Sequence, residues 1–126
     1  MSIRTPRARV RGLGSARQGV EHFWMQRITA VALIPLYLWF LLDALSNVGA
    51  DYTGRRSWLA QPTTAILMIF FVSAGLYHMR LGIQVVIEDY IHTEATKIAL
   101  LALNALLTFG LGIATLFAIL KIALGV

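Results

Sequence analysis

The fold is decided by the stretch His78-Met-Arg-Leu-Gly-Ile-Gln-Val-Val-Ile-Glu-Asp89-Tyr90, which closes a segment that carries no charge from Ser57 to Met79. On a helix that advances about 100° per residue, His78 and Asp89 lie only about 20° apart and share one face. A rise of about 1.5 Å per residue separates them by roughly 16 Å along the axis. The pattern therefore predicts an imidazole near the middle of a membrane and a carboxylate at its boundary.

The face around His78 carries little side-chain bulk. Gly75, Gly82 and Val85 fall within about 60° of it on the helical wheel, which leaves room for a flat ligand. Two interpretations of the histidine are open at this point. It either makes a hydrogen bond between helices, as polar groups in membranes often do, or serves as an axial ligand of a b-type haem.

Composition indicates a single membrane domain. Of the 126 residues, 58% are hydrophobic and 13% are charged, which does not describe a soluble globular protein. The chain has no cysteine, so it cannot by itself build a disulfide or a thiolate iron-sulfur site. Any iron-sulfur cluster must belong to a partner.

The net charge of +5 comes mostly from arginines before the first apolar segment: Arg4, Arg7, Arg9, Arg11 and Arg17. Joined to a membrane span, such a segment indicates contact with anionic lipid headgroups on the cytoplasmic side, and no nucleic acid partner is expected. We predict that residues 1–19 form an irregular basic cytoplasmic arm. It is short for a mitochondrial targeting segment, which favours a bacterial inner membrane over a mitochondrial one.

The hydropathy pattern predicts an all-α membrane protein. We expect residues 20–126 to form a three-helix transmembrane anchor, with spans at about 20–48, 62–89 and 94–121. Residues 49–61 are predicted to be a polar connection, and Thr93 a possible N-cap of the third span. Because arginines before the first span outnumber those in this connection, we predict a cytoplasmic N-terminus and a periplasmic C-terminus.

Two blocks of sequence resemble a known family. His78, Gly82, Gln84 and the Asp89-Tyr90 pair are similar to the second transmembrane helix of the small hydrophobic membrane anchor subunits of succinate dehydrogenase, respiratory complex II. A second block, Gly19-Val-Glu-His-Phe-Trp-Met-Gln-Arg27-Ile-Thr-Ala, resembles the start of that family's first helix. Together the blocks span about residues 19 to 93.

The resemblance implies specific roles for four residues. His78 would be one of two axial ligands of haem b, the other coming from the companion cytochrome b556 anchor subunit. Tyr90 would donate a hydrogen bond to a ubiquinone carbonyl, with Asp89 beside it in proton delivery, and Arg27 would lie by the haem propionates and the quinone pocket. The alternatives are an ordinary interfacial helix end for Asp89 and Tyr90 and a snorkelling cation for Arg27.

Other polar residues have weaker assignments. We expect His22 and His92 to lie more than about 15 Å from the depth of His78, as solvated histidines rather than haem ligands or proton carriers. Arg80, about 200° from His78, must face another helix, snorkel or neutralise an acid. Asn104 and Thr108 are expected to serve helix packing.

As implied by the resemblance, the chain holds the flavoprotein and iron-sulfur subunits on the membrane, and FAD and the iron-sulfur clusters reside in those partners. The complex would oxidise succinate and reduce ubiquinone, linking the tricarboxylic acid cycle to the respiratory chain. Three alternatives are open. They are the anchor of a menaquinone-dependent fumarate reductase, a transporter or channel subunit with a polar path along Asp43, Arg80 and Glu88, and a cofactor-free assembly scaffold.

Overall fold

The computed structural model describes residues 18–125, with side chains from residue 20 onward, and all of its regular structure is helical. The helices are α1 (Gln18–Ser46), α2 (Tyr52–Ala60), α3 (Pro62–Tyr90) and α4 (Glu94–Ala123). The three long helices are each apolar enough to cross a bilayer, so the prediction of an all-α, three-span membrane protein is confirmed. The orientation of the termini stays a prediction, and the predicted arm, residues 1–19, falls almost wholly outside the described residues.

Helix α3 is the centre of the bundle. Within residues 18–125, α1 and α4 each pack along α3 and make no contact with each other. The core is therefore small, and it holds a few apolar side chains, Ala65, Leu81, Ile87 and Ile119, together with the polar Thr64, Asn104 and Thr108. Most large apolar side chains are exposed on the outside of the bundle, as expected for helices whose outer faces meet lipid or other subunits.

The long helices begin where the sequence indicates. Pro62 is the first residue of α3, a position where a missing backbone N–H costs nothing. Thr93 precedes α4 and Glu94 lies in its first turn, but the Thr93 side chain makes no capping hydrogen bond. Only residues 91–93 separate α3 from α4, so the two helices are antiparallel neighbours.

The predicted polar connection between α1 and α3 contains the nine-residue helix α2, which was not foreseen from the sequence. Asp51 caps this helix, with Oδ1 accepting from the Gly54 N–H at 2.7 Å. The Trp58 indole N–H donates to Asp43 Oδ2, also at 2.7 Å, and so ties α2 to the end of α1. The sequence signal for α2 was the aspartate at position 51, which is a common N-cap residue.

Candidate functional site

Side-chain contacts define an antiparallel register between α1 and α3. Phe40 stacks on Phe71 with ring centroids 4.9 Å apart. Gly75 lies against Leu33, since a Cβ added at Gly75 would be 3.9 Å from the Leu33 side chain. Further along, the Thr29 hydroxyl oxygen is 3.0 Å from His78 Nδ1. This register sets His78 opposite the N-terminal half of α1.

A groove of about 530 Å³ opens between α1 and α3 at this level. It is lined by His22, Phe23, Gln26, Arg27, Ala30, His78, Gly82 and Val85. The structure thus brings His78 together with Arg27 and with two of the three small residues predicted to share its face. The third, Gly75, is not among the lining residues and serves the contact with α1 instead.

Both nitrogens of the half-buried His78 ring face polar atoms of α1. Nδ1 lies 3.0 Å from the Thr29 hydroxyl oxygen, and Nε2 lies 3.4 Å from the Gln26 amide nitrogen. The hydrogen bond between helices that the sequence left open is therefore present. It is compatible with metal ligation if the Gln26 amide moves away from Nε2, because the contact of Nδ1 with Thr29 can stay in place while Nε2 binds iron.

Two lining residues of the groove each have a buried polar atom with no hydrogen-bond partner among residues 20–125: His22 Nε2 and Gln26 Oε1. The expected separation between His22 and His78 was wrong. Thr29 lies opposite His78, and His22 precedes Thr29 by seven residues, which corresponds to roughly 10 Å along α1. The reason is that α1 crosses His78 closer to its own N-terminal end than hydropathy indicated.

The groove has the chemical features that a haem edge would need. Arg27 lines it with its guanidinium carbon 4.5 Å from the centroid of the Phe23 ring, so a cation able to pair with a carboxylate lies near apolar walls. Imidazole and cation share one open cavity, and the buried atoms His22 Nε2 and Gln26 Oε1 belong to residues that line it. Among residues 20–125 no three histidine or acidic side chains cluster to hold a free metal ion, but a haem iron takes only one imidazole from this chain.

Asp89 and Tyr90 lie at the end of α3, outside this groove. Both are exposed, and Tyr90 retains 75% of its accessible surface. Eleven and twelve residues after His78, they are roughly 16 to 18 Å away along the helix. Within the described chain, the predicted site therefore has two parts on one helix. His92 is exposed in the turn that follows.

Two residues of the site were not singled out by sequence reasoning. Gln26 and Thr29 flank Arg27 and supply the polar atoms nearest to His78. Their only signal was a polar side chain on either side of Arg27 within the second sequence block. Which of the polar residues on α1 meet His78 depends on how the two helices are staggered.

The opposite side of α3 holds a second set of polar residues. The Arg80 guanidinium carbon lies 5.3 Å from the Phe109 ring centroid, so Arg80 faces another helix, one of the three alternatives considered. Asn104 Nδ2 donates to the Arg80 carbonyl at 3.0 Å, and the Thr108 hydroxyl donates to the Asn104 carbonyl at 2.7 Å. Asn104 and Thr108 thus serve helix packing, as expected.

Comparison with known proteins identifies the family. The sequence profile of the succinate dehydrogenase/fumarate reductase transmembrane subunits matches residues 1–119. The chain belongs to this family. The resemblance drawn from two short sequence blocks is therefore confirmed, and the chain is a multi-pass membrane protein of the anchor-subunit type.

Several succinate dehydrogenase hydrophobic membrane anchor subunits are similar to this family member. The one from Rickettsia bellii (strain RML369-C) is 41% identical over 83 residues, which is 66% of each chain. The one from Paracoccus denitrificans is 28% identical over 121 residues, 96% of this chain and 93% of the relative. The one from Rickettsia typhi (strain ATCC VR-144 / Wilmington) is 30% identical over 106 residues, 82% and 85% of the two chains. No solved structure matches the chain.

Proposed function

We propose that the chain anchors the flavoprotein and iron-sulfur subunits of succinate dehydrogenase to the membrane, supplies one axial ligand of haem b, and forms part of the ubiquinone reduction site. The observation that carries the proposal is His78, a half-buried imidazole in an open groove whose walls also hold Arg27. Two of its lining residues, His22 and Gln26, have a buried polar atom without a partner in the described chain. A groove of this kind on the outside of a three-helix bundle is suited to a cofactor shared with another subunit.

In this proposal His78 Nε2 binds the haem iron, and Arg27 pairs with a haem propionate or lies at the edge of the quinone pocket. When bound, haem b supplies a one-electron redox centre. The second axial ligand comes from the cytochrome b556 anchor subunit. Because His22 lines the same groove as His78, its depth in the membrane does not exclude it as the second ligand. The assignment of the second ligand to the partner subunit therefore depends on the family resemblance.

At the exposed end of α3, Tyr90 donates a hydrogen bond to a ubiquinone carbonyl, where negative charge develops during reduction. Asp89 delivers protons beside it. Exposure of both side chains supports a site that is completed by other subunits, because an exposed phenol gains a water-free pocket only when a partner covers it. The cytoplasmic orientation of this end and a location in the bacterial inner membrane belong to the same proposal.

The test is a reduced-minus-oxidised difference spectrum of the detergent-purified native complex, with each subunit identified by mass spectrometry. We expect a b-type band in the unchanged complex and none in His78→Ala. A band that persists in His78→Ala removes the ligand assignment, and a colourless unchanged complex with all subunits present supports the scaffold alternative.

His22→Ala is the matched control, because it removes the other groove imidazole from the same chain. If the second ligand belongs to the partner subunit, His22→Ala leaves the b-type band in place. Loss of the band in His22→Ala with intact assembly contradicts the partner assignment and places both ligands in this chain.

The direction of electron flow needs a separate measurement, since the family description covers both succinate dehydrogenase and fumarate reductase subunits. The curated relatives reported above are succinate dehydrogenase subunits, which favours succinate oxidation. We expect the purified complex to reduce ubiquinone with succinate faster than it reduces fumarate with menaquinol. The reverse ratio supports the fumarate reductase alternative.

A further inference from the structure

The tautomer of the His78 ring follows from its two neighbours on α1. An amide nitrogen can only donate a hydrogen bond, so Gln26 Nε2, 3.4 Å from His78 Nε2, requires a lone pair on that ring nitrogen. A neutral imidazole with a lone pair on Nε2 carries its proton on Nδ1. The Nδ1–H group then needs an acceptor, and the atom 3.0 Å from it is the Thr29 hydroxyl oxygen.

The Thr29 hydroxyl is arranged to accept. Its single proton has a nearer acceptor in the Met25 carbonyl, one helical turn earlier, at 2.7 Å, with the Gln26 carbonyl at 3.1 Å. Once that proton is directed to its own helix backbone, the oxygen offers its lone pairs to the His78 ring. The Thr29 contact therefore specifies the Nδ1–H tautomer, and the orientation of the Gln26 amide agrees with it.

This tautomer is the one that ligation through Nε2 requires. An iron bound at Nε2 would replace the Gln26 amide at the lone pair of that atom. The ring proton must then sit on Nδ1 and must find an acceptor in the low-dielectric interior. An acceptor on Nδ1–H also makes the ring a more basic ligand and fixes the angle of its plane.

We propose that Thr29 is a positioning residue for haem, which holds the His78 ring in the Nδ1–H tautomer and orients Nε2 toward the groove. This inference rests on the proposed function of His78 as an axial ligand. Thr29 touches the imidazole and not the cofactor, so its effect is on ligand basicity and ring orientation.

The experiment compares Thr29→Val and Thr29→Ala in the complete complex, with Thr29→Ser as the conservative variant. Removing the acceptor weakens electron donation to ferric iron, so we expect the haem midpoint potential to rise and the low-spin electron paramagnetic resonance signal to shift. Haem affinity, measured by transfer to excess apomyoglobin, should fall by roughly ten- to a hundredfold. Thr29→Ser keeps the hydroxyl, so its midpoint potential, resonance signal and haem affinity should match those of the unchanged complex.

Thr115→Val is the matched control. Thr115 donates to the Leu111 carbonyl at 2.7 Å, the same contact with its own helix that Thr29 makes with Met25, but on α4. It should leave the potential and the resonance signal unchanged. A shift in only one of Thr29→Val and Thr29→Ala would show that side-chain volume matters and not the hydroxyl, and would overturn the inference.

The two proposals fail in distinguishable ways. If His78→Ala keeps the b-type band, the ligand assignment fails and the inference about Thr29 fails with it. If His78→Ala loses the band while Thr29→Val and Thr29→Ala leave the potential, the signal and the affinity unchanged, only the positioning role is overturned.

Discussion

The polar residues on the two sides of α3 differ in their burial and in how many of their polar atoms are hydrogen-bonded. On the α4 side, Asn104 and Thr108 are buried at 9% and 8% exposure, and each donates to a backbone carbonyl. On the α1 side, His78 is only half-buried, and the buried atoms His22 Nε2 and Gln26 Oε1 have no hydrogen-bond partner within the part of the chain that the structure describes.

This difference distinguishes polar residues that pack helices together from polar residues that belong to a functional site. Polar groups that join two helices are stable when their hydrogen bonds are complete, because lipid offers no replacement. Polar groups left incomplete next to an open groove are a sign of a missing ligand, since an unpaired buried donor or acceptor costs about 1 to 3 kcal/mol. The α1 side of α3 is therefore the side where a cofactor is expected.

The comparison is tested most strongly by filling the groove. Gly82→Leu would place a large side chain beside His78, where an added Cβ already lies 3.7 Å from Gln26 Nε2. We expect haem content per complex to fall by roughly tenfold or more, which is comparable to the effect of removing a residue that orients a metal ligand. Pyridine haemochrome analysis measures it.

Gly110→Leu is the control for this substitution. Apart from its chain neighbours and the local helix backbone, no atom of the described residues lies within 4 Å of a Cβ added at Gly110, which is exposed on α4. Haem content should stay at the level of the unchanged complex. An equal loss of haem in Gly82→Leu and Gly110→Leu would mean that haem binding does not depend on the groove.

A second test extends the comparison to the exposed end of α3. Tyr90→Phe removes the phenol donor, and a hydrogen bond to a group that gains charge is worth about 1.5 to 3 kcal/mol, or roughly ten- to a hundredfold in rate. Ubiquinone reduction should fall by this factor while succinate oxidation by an artificial acceptor stays intact. Equal loss of both activities argues against a local role.

On the α4 side the expected effect is on stability. Asn104→Ala removes the hydrogen bond to the Arg80 carbonyl, and polar contacts between membrane helices are worth about 0.6 to 2 kcal/mol. The free energy of unfolding in mixed micelles should drop by this amount with the haem spectrum unchanged. An altered spectrum would show that the two sides of α3 are not independent.

The smallest effect is expected for Phe109→Leu, which removes the ring under the Arg80 guanidinium. An exposed contact of this kind contributes about 0.5 to 1 kcal/mol. The unfolding free energy should fall by no more than this, and both activities should be unchanged. A larger loss would show that Arg80 depends on the ring to remain in the membrane.

The transporter alternative is not supported by the positions of its residues. Asp43 lies near the end of α1, where it accepts from the Trp58 indole, and Glu88 lies near the end of α3, where it accepts from Gln84 at 2.8 Å. Because α1 and α3 are antiparallel, these two acids lie at opposite ends of the bundle. Family membership also favours the anchor.

Much of the fold was determined by the sequence alone. Long uncharged segments specify membrane helices, because lipid offers no hydrogen-bond partners and a helix satisfies its backbone groups within the segment. The start of α3 at Pro62 and the short turn before α4 followed from local signals of the same kind. The family was identifiable from His78, Asp89, Tyr90 and the block around Arg27, because such motifs retain their spacing along a helix.

Only the tertiary structure decided which residues meet. The periodicity of α1 does not fix its stagger against α3, and a shift of one turn would replace Thr29 with another residue opposite His78. For the same reason the position of His22 was misjudged, and the roles of Gln26 and Thr29 were not foreseen. Helix α2 was not predicted because nine residues are too few for a stable isolated helix. Its contacts with α3 and α4 and the bond from Trp58 to Asp43 exist only in the folded bundle.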